Sequence, residues 1–178
     1  MTKRLSTFLL LIFISSFALS LSGCDSSKEA VNPGTGTAAK PAEATTDPNI
    51  SFGSGFYQLE KDNTGNSWHW MSGEGSVKLK NTGKEMKLSM TGSVPMEAFP
   101  KDTPTMKITL NGEQLDQFPA QHSIVKEYSI PAAKQGDKEY SELKISTSKT
   151  FVPKQRDPKS GDERQLGFSL LKLGWDAK

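Results

Sequence analysis

The sequence contains very few of the residues from which metal sites and covalent active sites are built. Among its 178 residues are one cysteine, Cys24, and two histidines, His69 and His122. One cysteine cannot form an internal disulfide, and the two histidines are not spaced as metal ligands, so neither a disulfide framework nor a metal site is predicted. No Gly-x-Ser-x-Gly elbow marks a catalytic serine. We therefore expect no cofactor and no catalytic residue.

The chain also lacks a strong excess of charge of either sign. It has 22 basic and 20 acidic residues, for a formal net charge of +2. Residues 1–23 contain Lys3 and Arg4 and no acid, so without that segment the charges balance. Binding of nucleic acid requires Lys and Arg clustered on one face, and no such cluster is present in the sequence. Nucleic acid is not an expected partner.

No apolar run is long enough for a helix that crosses a membrane. The run from Phe8 to Leu21 has about 14 residues and is interrupted by serines, whereas a spanning helix needs roughly 20. A short positive segment precedes the run and two small residues follow it, which is typical of a secretory signal peptide. We expect residues 1–23 to be removed and the remainder to be exported.

The four residues Leu21-Ser22-Gly23-Cys24 resemble the lipobox of bacterial lipoproteins. The resemblance implies that the peptide is cut before Cys24 and that Cys24 is lipidated with acyl chains such as palmitate. Two or three long chains would hold the protein on a membrane, and lipidation would also account for an otherwise unpaired exported thiol. The alternative is an ordinary free thiol. Asp25 resembles the residue that retains some lipoproteins in the inner membrane, and the expected location is the cell envelope, facing the periplasm or the exterior.

Residues 24–50 are predicted to be a flexible linker between the lipidated cysteine and a folded domain. The segment is rich in Ser, Thr, Ala, Pro, Gly, Glu and Lys, and its only large apolar side chains are Val31 and Ile50. So little apolar surface cannot offset the entropy lost on ordering. The folded domain is expected at 51–178.

Short segments with period-two alternation fill residues 51–178. Val77 to Lys80 and Met86 to Met90 alternate polar and apolar residues on either side of a turn, which predicts a hairpin. Asn111-Gly112 predicts a second hairpin with a two-residue turn. The domain closes with a strand from Leu166 to Trp175. Eight or nine such strands without a helix predict an all-β fold, a single antiparallel β-sandwich or barrel.

Six short phrases, spread over nearly the whole domain, carry a resemblance through their order and spacing. They are Gly55 to Glu60, Trp68 to Met71, Val77 to Asn81, Leu110 to Gly112, Thr150 to Pro153 and Asp162 to Gly167. Together they are similar to a family of bacterial carbohydrate-binding-like modules with a jelly-roll β-sandwich, which occur alone or beside glycosyltransferases and other enzymes of envelope polysaccharides. The resemblance implies a jelly-roll sandwich more strongly than it implies a ligand.

Trp68 and Trp70 are candidate ligand-binding residues because sugar rings stack their C–H faces on exposed indoles. The two residues share one face of a strand. We expect this to be the inner face, since a sandwich of this size needs large apolar residues in its core. The alternative is an outer face that offers a stacking platform. His69, between them, is expected to pack within or at the edge of the sheet.

The loops from Phe99 to Pro104 and from Lys154 to Arg164 are long for a sandwich, and functional residues concentrate on such connections. Asp162 and Arg164 are expected to form an ion pair that fixes the second loop, with a ligand contact as the alternative. A site, if present, is expected between these loops. Its candidate polar contacts are Lys154, Arg156, Asp162 and Arg164.

These observations favour a membrane-anchored envelope lipoprotein whose domain binds an envelope glycan or a protein partner without catalysis. The alternative is a structural or assembly lipoprotein that docks onto a membrane complex through a sheet face or edge. An envelope hydrolase would need two acids facing each other across a cleft, and the sequence nominates no such pair.

Overall fold

The computed structural model describes residues 47–178, which form ten strands. The predicted signal peptide, the lipobox-like residues with Cys24 and the predicted linker up to residue 46 lie outside the described residues. Ile50, the last residue of the predicted linker, is buried and begins the first strand. The strands are β1 Ile50–Phe52, β2 Phe56–Lys61, β3 Ser67–Met71, β4 Glu74–Lys80, β5 Met86–Ser93, β6 Thr105–Leu110, β7 Glu113–Pro119, β8 Ile124–Ile130, β9 Tyr140–Thr147 and β10 Phe168–Ala177.

The strands form two five-stranded antiparallel sheets. One sheet has the order β1-β4-β9-β6-β7 and the other β2-β3-β10-β5-β8. Consecutive strands from β3 to β10 therefore distribute as β3-β10-β5-β8 and β4-β9-β6-β7, which is the arrangement of an eight-stranded jelly roll. β1 and β2 each extend one sheet by an edge strand. The predicted all-β, jelly-roll-like sandwich is confirmed.

Three single helical turns lie in the connections, where the sequence predicted no helix. They are a 3-10 turn at Met96–Ala98, α1 at Ala132–Gln135 and α2 at Pro153–Arg156. Each is too short to show a 3.6-residue apolar pattern, so periodicity could not reveal it. None of the helices in residues 47–178 has the length and apolar character needed to cross a membrane.

The core lies between the sheets, where alternate residues of each strand meet. In β4, Val77 and Leu79 are buried while Lys78 and Lys80 are exposed. Each large apolar side chain that is fully buried contributes about 1.5–3 kcal/mol relative to exposure. The largest of these side chains are Trp175, Phe56, Phe168, Met71, Leu79, Leu88, Met106, Ile108, Leu110, Ile130, Leu143 and Ile145.

The predicted hairpin of Val77 to Lys80 with Met86 to Met90 is wrong. β4 pairs with β1 and β9, while β5 pairs with β8 and β10 in the opposite sheet. Period-two alternation identifies a strand but not its neighbour, because both sheets need an apolar inner face. The chain from Asn81 to Glu85 therefore crosses between the sheets.

The hairpin predicted at Asn111-Gly112 is confirmed between β6 and β7. Asn111 has φ of 51° and Gly112 has φ of 86°, which is the left-handed conformation that Asn and Gly tolerate best. The Asn111 side chain also donates to the Lys134 carbonyl at 3.0 Å and accepts from the Glu142 amide at 2.9 Å. These bonds tie the turn to the connection before β9.

Candidate functional site

Trp68 and Trp70 lie on the outer face of β3, contrary to the expectation that they fill the core. His69 and Met71, the alternate residues, are the buried ones, and both tryptophans are partly exposed. Because side chains alternate along a strand, only one face of β3 can point into the core. That face is the one with His69, whose ring contacts those of Phe52 and Phe56. A large apolar residue is therefore not sufficient evidence of burial.

His69 packs in the sheet, as expected. Its ring lies 4.4 Å from the Phe52 ring, centroid to centroid, and its Nδ1 forms a hydrogen bond of 3.0 Å with the Tyr57 carbonyl. The third tryptophan, Trp175, is 2% exposed, and its indole N–H donates to the Lys80 carbonyl at 2.7 Å. Neither residue is available to a ligand.

Trp70 begins a row of three aromatic rings that leaves the sheet. Its ring meets that of Phe151 edge to face, with centroids 6.4 Å apart, and Phe151 meets Phe99 in the same way at 5.9 Å. Such edge-to-face pairs contribute about 0.5–1.5 kcal/mol each beyond area burial. The row joins β3 to the segments that follow β5 and β9, which are far apart in sequence.

The segment from Phe151 to Leu166 forms a loop whose two ends are joined. Phe151 and Leu166 exchange two backbone hydrogen bonds of 2.8 Å each, and the Lys154 amide donates to the Asp162 carbonyl at 2.9 Å. Tyr57 on β2 donates its hydroxyl to the Gln165 carbonyl at 3.1 Å. These bonds fix the loop against the outer face of the β3 sheet.

Arg164 holds the same loop through its side chain. It forms two bonds with Asp162, from Nε at 3.0 Å and from Nη2 at 2.8 Å, and one of 2.6 Å from Nη1 to Glu60 on β2. The guanidinium carbon also lies 5.1 Å from the centre of the Tyr57 ring. The hydrogen bonds that Arg164 donates to Asp162 lower the pKa of Asp162 and raise the pKa of Arg164. The expected ion pair is confirmed and extends to Glu60.

Between Trp70, this loop and the turn after β5 lies a cleft of about 550 Å³, here called the aromatic cleft. Trp70 and Phe151 supply its aromatic surface, and Pro95, Ala98 and Pro153 line it with further apolar surface. Its polar lining residues are Glu60, Glu97, Arg156, Asp162 and Arg164.

Of the six residues predicted to bind a ligand, four line the aromatic cleft: Trp70, Arg156, Asp162 and Arg164. Trp68 and Lys154 do not. Trp68 is opposite Glu60 in the sheet, and its indole nitrogen is buried without a hydrogen-bond partner among residues 47–178. Lys154 instead forms an ion pair with Glu163.

Sequence reasoning missed the contributions of Glu60, Glu97 and Phe151. The wall opposite the Lys154–Arg164 loop is the turn containing Pro95 and Ala98, just before the predicted loop of 99–104. Phe151 was named only within the phrase Thr150 to Pro153 that carries the resemblance to carbohydrate-binding-like modules. Pro153, two residues after Phe151, is the first residue of α2 and was the one signal in the sequence that a helical turn follows Phe151.

The charges of the cleft are nearly balanced. Arg164 is neutralised by Glu60 and Asp162, and Glu97 has His122 at 3.8 Å. Arg156 has no ion-pair partner in the part of the chain that the structure describes. With three carboxylates and two guanidiniums, the lining is suited to an uncharged polar ligand. Residues 47–178 contain no group of three or more His, Cys, Asp or Glu that could hold a metal ion.

Comparisons with known proteins find similarity in structure but not in sequence. No protein-family model and no curated protein match the chain. Among solved structures, a family 35 carbohydrate binding module from Clostridium thermocellum is similar over 74% of this chain and 94% of its own, with 9% identity and a TM-score of 0.40. At this identity and TM-score the likeness identifies neither a family nor a ligand for this chain.

Proposed function

We propose that the domain binds a glycan in the aromatic cleft, without catalysis, by stacking a sugar ring on Trp70. The observation that carries the proposal is the outward, partly exposed Trp70 in the lining of a cleft that also contains five charged side chains. An indole presents a large apolar face that matches the C–H face of a pyranose, and indoles of this kind are common in binding sites.

The polar side chains of the cleft complement the hydroxyls of a sugar. The carboxylates of Glu97 and Asp162 accept hydrogen bonds, and the unpaired guanidinium of Arg156 donates them. Bonds to charged groups are stronger than neutral ones, so a few of them fix the orientation of a ligand. The overall charge, with one more carboxylate than guanidinium, disfavours a polyanion and favours an uncharged glycan.

The cleft is formed before any ligand arrives. The joined ends of the Phe151–Leu166 loop and the bonds of Arg164 to Asp162 and Glu60 fix its walls. A site that is already ordered loses less entropy on binding, which favours affinity from a small number of contacts. Trp70 itself is braced by Phe151.

Docking onto a protein of a membrane complex is the second candidate. A large exposed apolar patch would favour it. The exposed large apolar side chains among residues 47–178 are Leu59, Val125, Tyr140 and Leu171, which lie on four different strands. Only Val125 and Leu171 lie near each other, on the strands either side of β5, while Leu59 is on the edge strand β2 and Tyr140 is on the other sheet. Two such side chains form a small apolar patch, which supports this function less than the cleft supports glycan binding.

The test is affinity electrophoresis of residues 47–178 through gels containing hydroxyethylcellulose, xylan, glycol chitin or solubilised peptidoglycan. We expect at least one polysaccharide to retard the wild-type domain and Trp70→Ala to remove the retardation. Tyr140→Ala is the matched control, because Tyr140 is an exposed aromatic residue on the other sheet. Free migration of the wild-type domain in every gel contradicts the proposal.

We propose in addition that the chain reaches its ligand while anchored to a bacterial envelope membrane through lipidated Cys24. The lipobox resemblance and the unpaired cysteine support this location. Mass spectrometry of the protein from the membrane fraction should find acyl chains on an N-terminal Cys24. Recovery of Cys24→Ser in the membrane fraction, in the same amount as wild type, would contradict anchoring.

A further inference from the structure

A second depression lies on the same outer face as Trp70, further along β10, and is here called the lateral groove. It has a volume of about 390 Å³. Its lining includes Ser89, Thr91, Val125, Lys172, Gly174 and Asp176, from the three strands β5, β8 and β10. No sequence motif marks it, and none of these residues lines the aromatic cleft.

Small residues produce the groove. Gly174 lies opposite Ser89 in the sheet, and a Cβ on Gly174 would come within 2.5 Å of the Ser89 hydroxyl oxygen. The absence of a side chain at Gly174 thus leaves Ser89 accessible. The outer position of Lys172 follows from a bulge between Leu170 and Lys172, which also places Leu171 on the exposed side.

The register of the sheet connects the two depressions. Trp70 pairs with Ser169, which pairs with Ser93. Gly174 pairs with Ser89, which lies four residues before Ser93 on β5, so the two positions are about 14 Å apart at the rise of an antiparallel strand. The Ser93 hydroxyl, which is hydrogen-bonded to that of Ser169 at 2.8 Å, lies in the row of Trp70, and the side chain of Leu171, which is 46% exposed, lies between that row and Gly174. Hydroxyls and apolar surface therefore continue from one depression to the other.

The lining of the lateral groove is balanced in charge, with three lysines and three carboxylates. Lys87 pairs with Glu127 at 3.7 Å and Lys126 pairs with Asp116 at 2.8 Å. Within residues 47–178, neither Lys172 nor Asp176 has an ion-pair partner. One free donor and one free acceptor of opposite charge are suited to sugar hydroxyls and not to a polyanion.

From this continuity we infer that the lateral groove is a second subsite for the same ligand, and that the ligand is a linear, uncharged glycan several rings long. The inference rests on the proposed function, since the chain that enters the groove is the one stacked on Trp70. Occupation of both subsites by one chain makes the second contact intramolecular, so affinity increases with chain length.

Calorimetric titration with cello-, xylo- and chito-oligosaccharides, each as a disaccharide and a longer chain, tests this. For the type of glycan that binds, the longer chain should have an affinity at least about tenfold higher than that of the disaccharide. Ser89→Tyr, which fills the groove, should reduce the longer chain to the affinity of the disaccharide. Thr109→Tyr places the same side chain on the outer face of the other sheet and should change neither affinity.

Lys172→Ala with Asp176→Ala removes the two free polar groups without adding volume, and should also weaken only the longer chain. Equal affinities for short and long chains would contradict the second subsite but not the binding at Trp70. The same holds if neither groove variant changes the affinity for the longer chain. If Trp70→Ala changes no affinity, or no probe binds, the proposed function fails and the subsite fails with it.

Discussion

Arg164 is the side chain whose removal should loosen the aromatic cleft most. Arg164→Met keeps the aliphatic stem but removes the hydrogen bonds to Asp162 and Glu60 and the contact with the Tyr57 ring. It also leaves two carboxylates without their cation. We expect the loop from Phe151 to Leu166 to become less stable and the domain to lose stability.

The magnitude follows from the exposure of the three side chains. Arg164 is 35% exposed, Glu60 33% and Asp162 27%. Exposed ion pairs contribute about 0.2–1 kcal/mol, whereas bonds to charged groups shielded from water contribute about 1.5–3 kcal/mol each. For a cluster one third exposed, with two carboxylates on one guanidinium, we expect Arg164→Met to lower the free energy of unfolding by about 1–2 kcal/mol. That corresponds to a fall in Tm of about 4–8 °C.

Thermal unfolding of residues 47–178, followed by circular dichroism, measures this. Lys154→Met is the control on the same loop: Lys154 is 51% exposed and pairs with Glu163, which is 61% exposed. Its loss should change the free energy of unfolding by less than about 0.5 kcal/mol. Equal effects of the two substitutions would refute the role given to Arg164.

Three further outcomes are expected. In the folded state, hydrogen bonds from Arg164 hold the pKa of Asp162 below its ordinary value. The contribution of Asp162 to stability is therefore complete above that ordinary value and lost as the pH falls through the lower folded value. Acid unfolding curves should show a smaller loss between pH 5 and pH 3 for Arg164→Met than for wild type, and identical losses would contradict the assignment. Ile145→Ala, in the centre of the core, should lower the free energy of unfolding by about 2–5 kcal/mol in urea titrations, and a change below 1 kcal/mol would contradict its burial. Gly55→Ala should lower the free energy of unfolding more than Gly83→Ala in the same titrations. Both glycines have positive φ, but only at Gly55 would the added Cβ collide with a backbone atom, the carbonyl oxygen of Glu74.

The strands and most of the core could be predicted from the sequence because each strand alternates locally. Val77 and Leu79 are inside and the lysines beside them outside, as the pattern indicates. The Asn111-Gly112 turn was equally local, since it depends on two residues that accept positive φ. These features need no knowledge of which strands are neighbours.

The neighbours of each strand, and the face of β3 that turns inward, could not be predicted. Both choices depend on tertiary contacts: β4 pairs with β9, and the inner face of β3 is set by Phe52 and Phe56. Alternation along the strand predicts that Trp68 and Trp70 share a face of β3, but it does not indicate which face is buried. Their size favoured the wrong one.

Part of the candidate site was predicted from loop length and residue type. Arg156, Asp162 and Arg164 were named because a long polar loop separates two strands, and all three line the cleft. Glu60, Pro95 and Phe151 belong to three other segments that only the jelly-roll topology brings together. The periodicity of a single sequence is local and does not indicate which distant segments lie side by side in the fold.

Quenching of the Trp70 fluorescence by acrylamide, taken as the difference between wild type and Trp70→Phe, tests the central claim most directly. We expect Trp70 to be accessible to acrylamide in the free domain and to be protected by the polysaccharide that retards the domain in gels. Trp70 emission that is shielded without a glycan, or equally quenched with and without the retarding polysaccharide, would contradict a sugar ring stacked on Trp70.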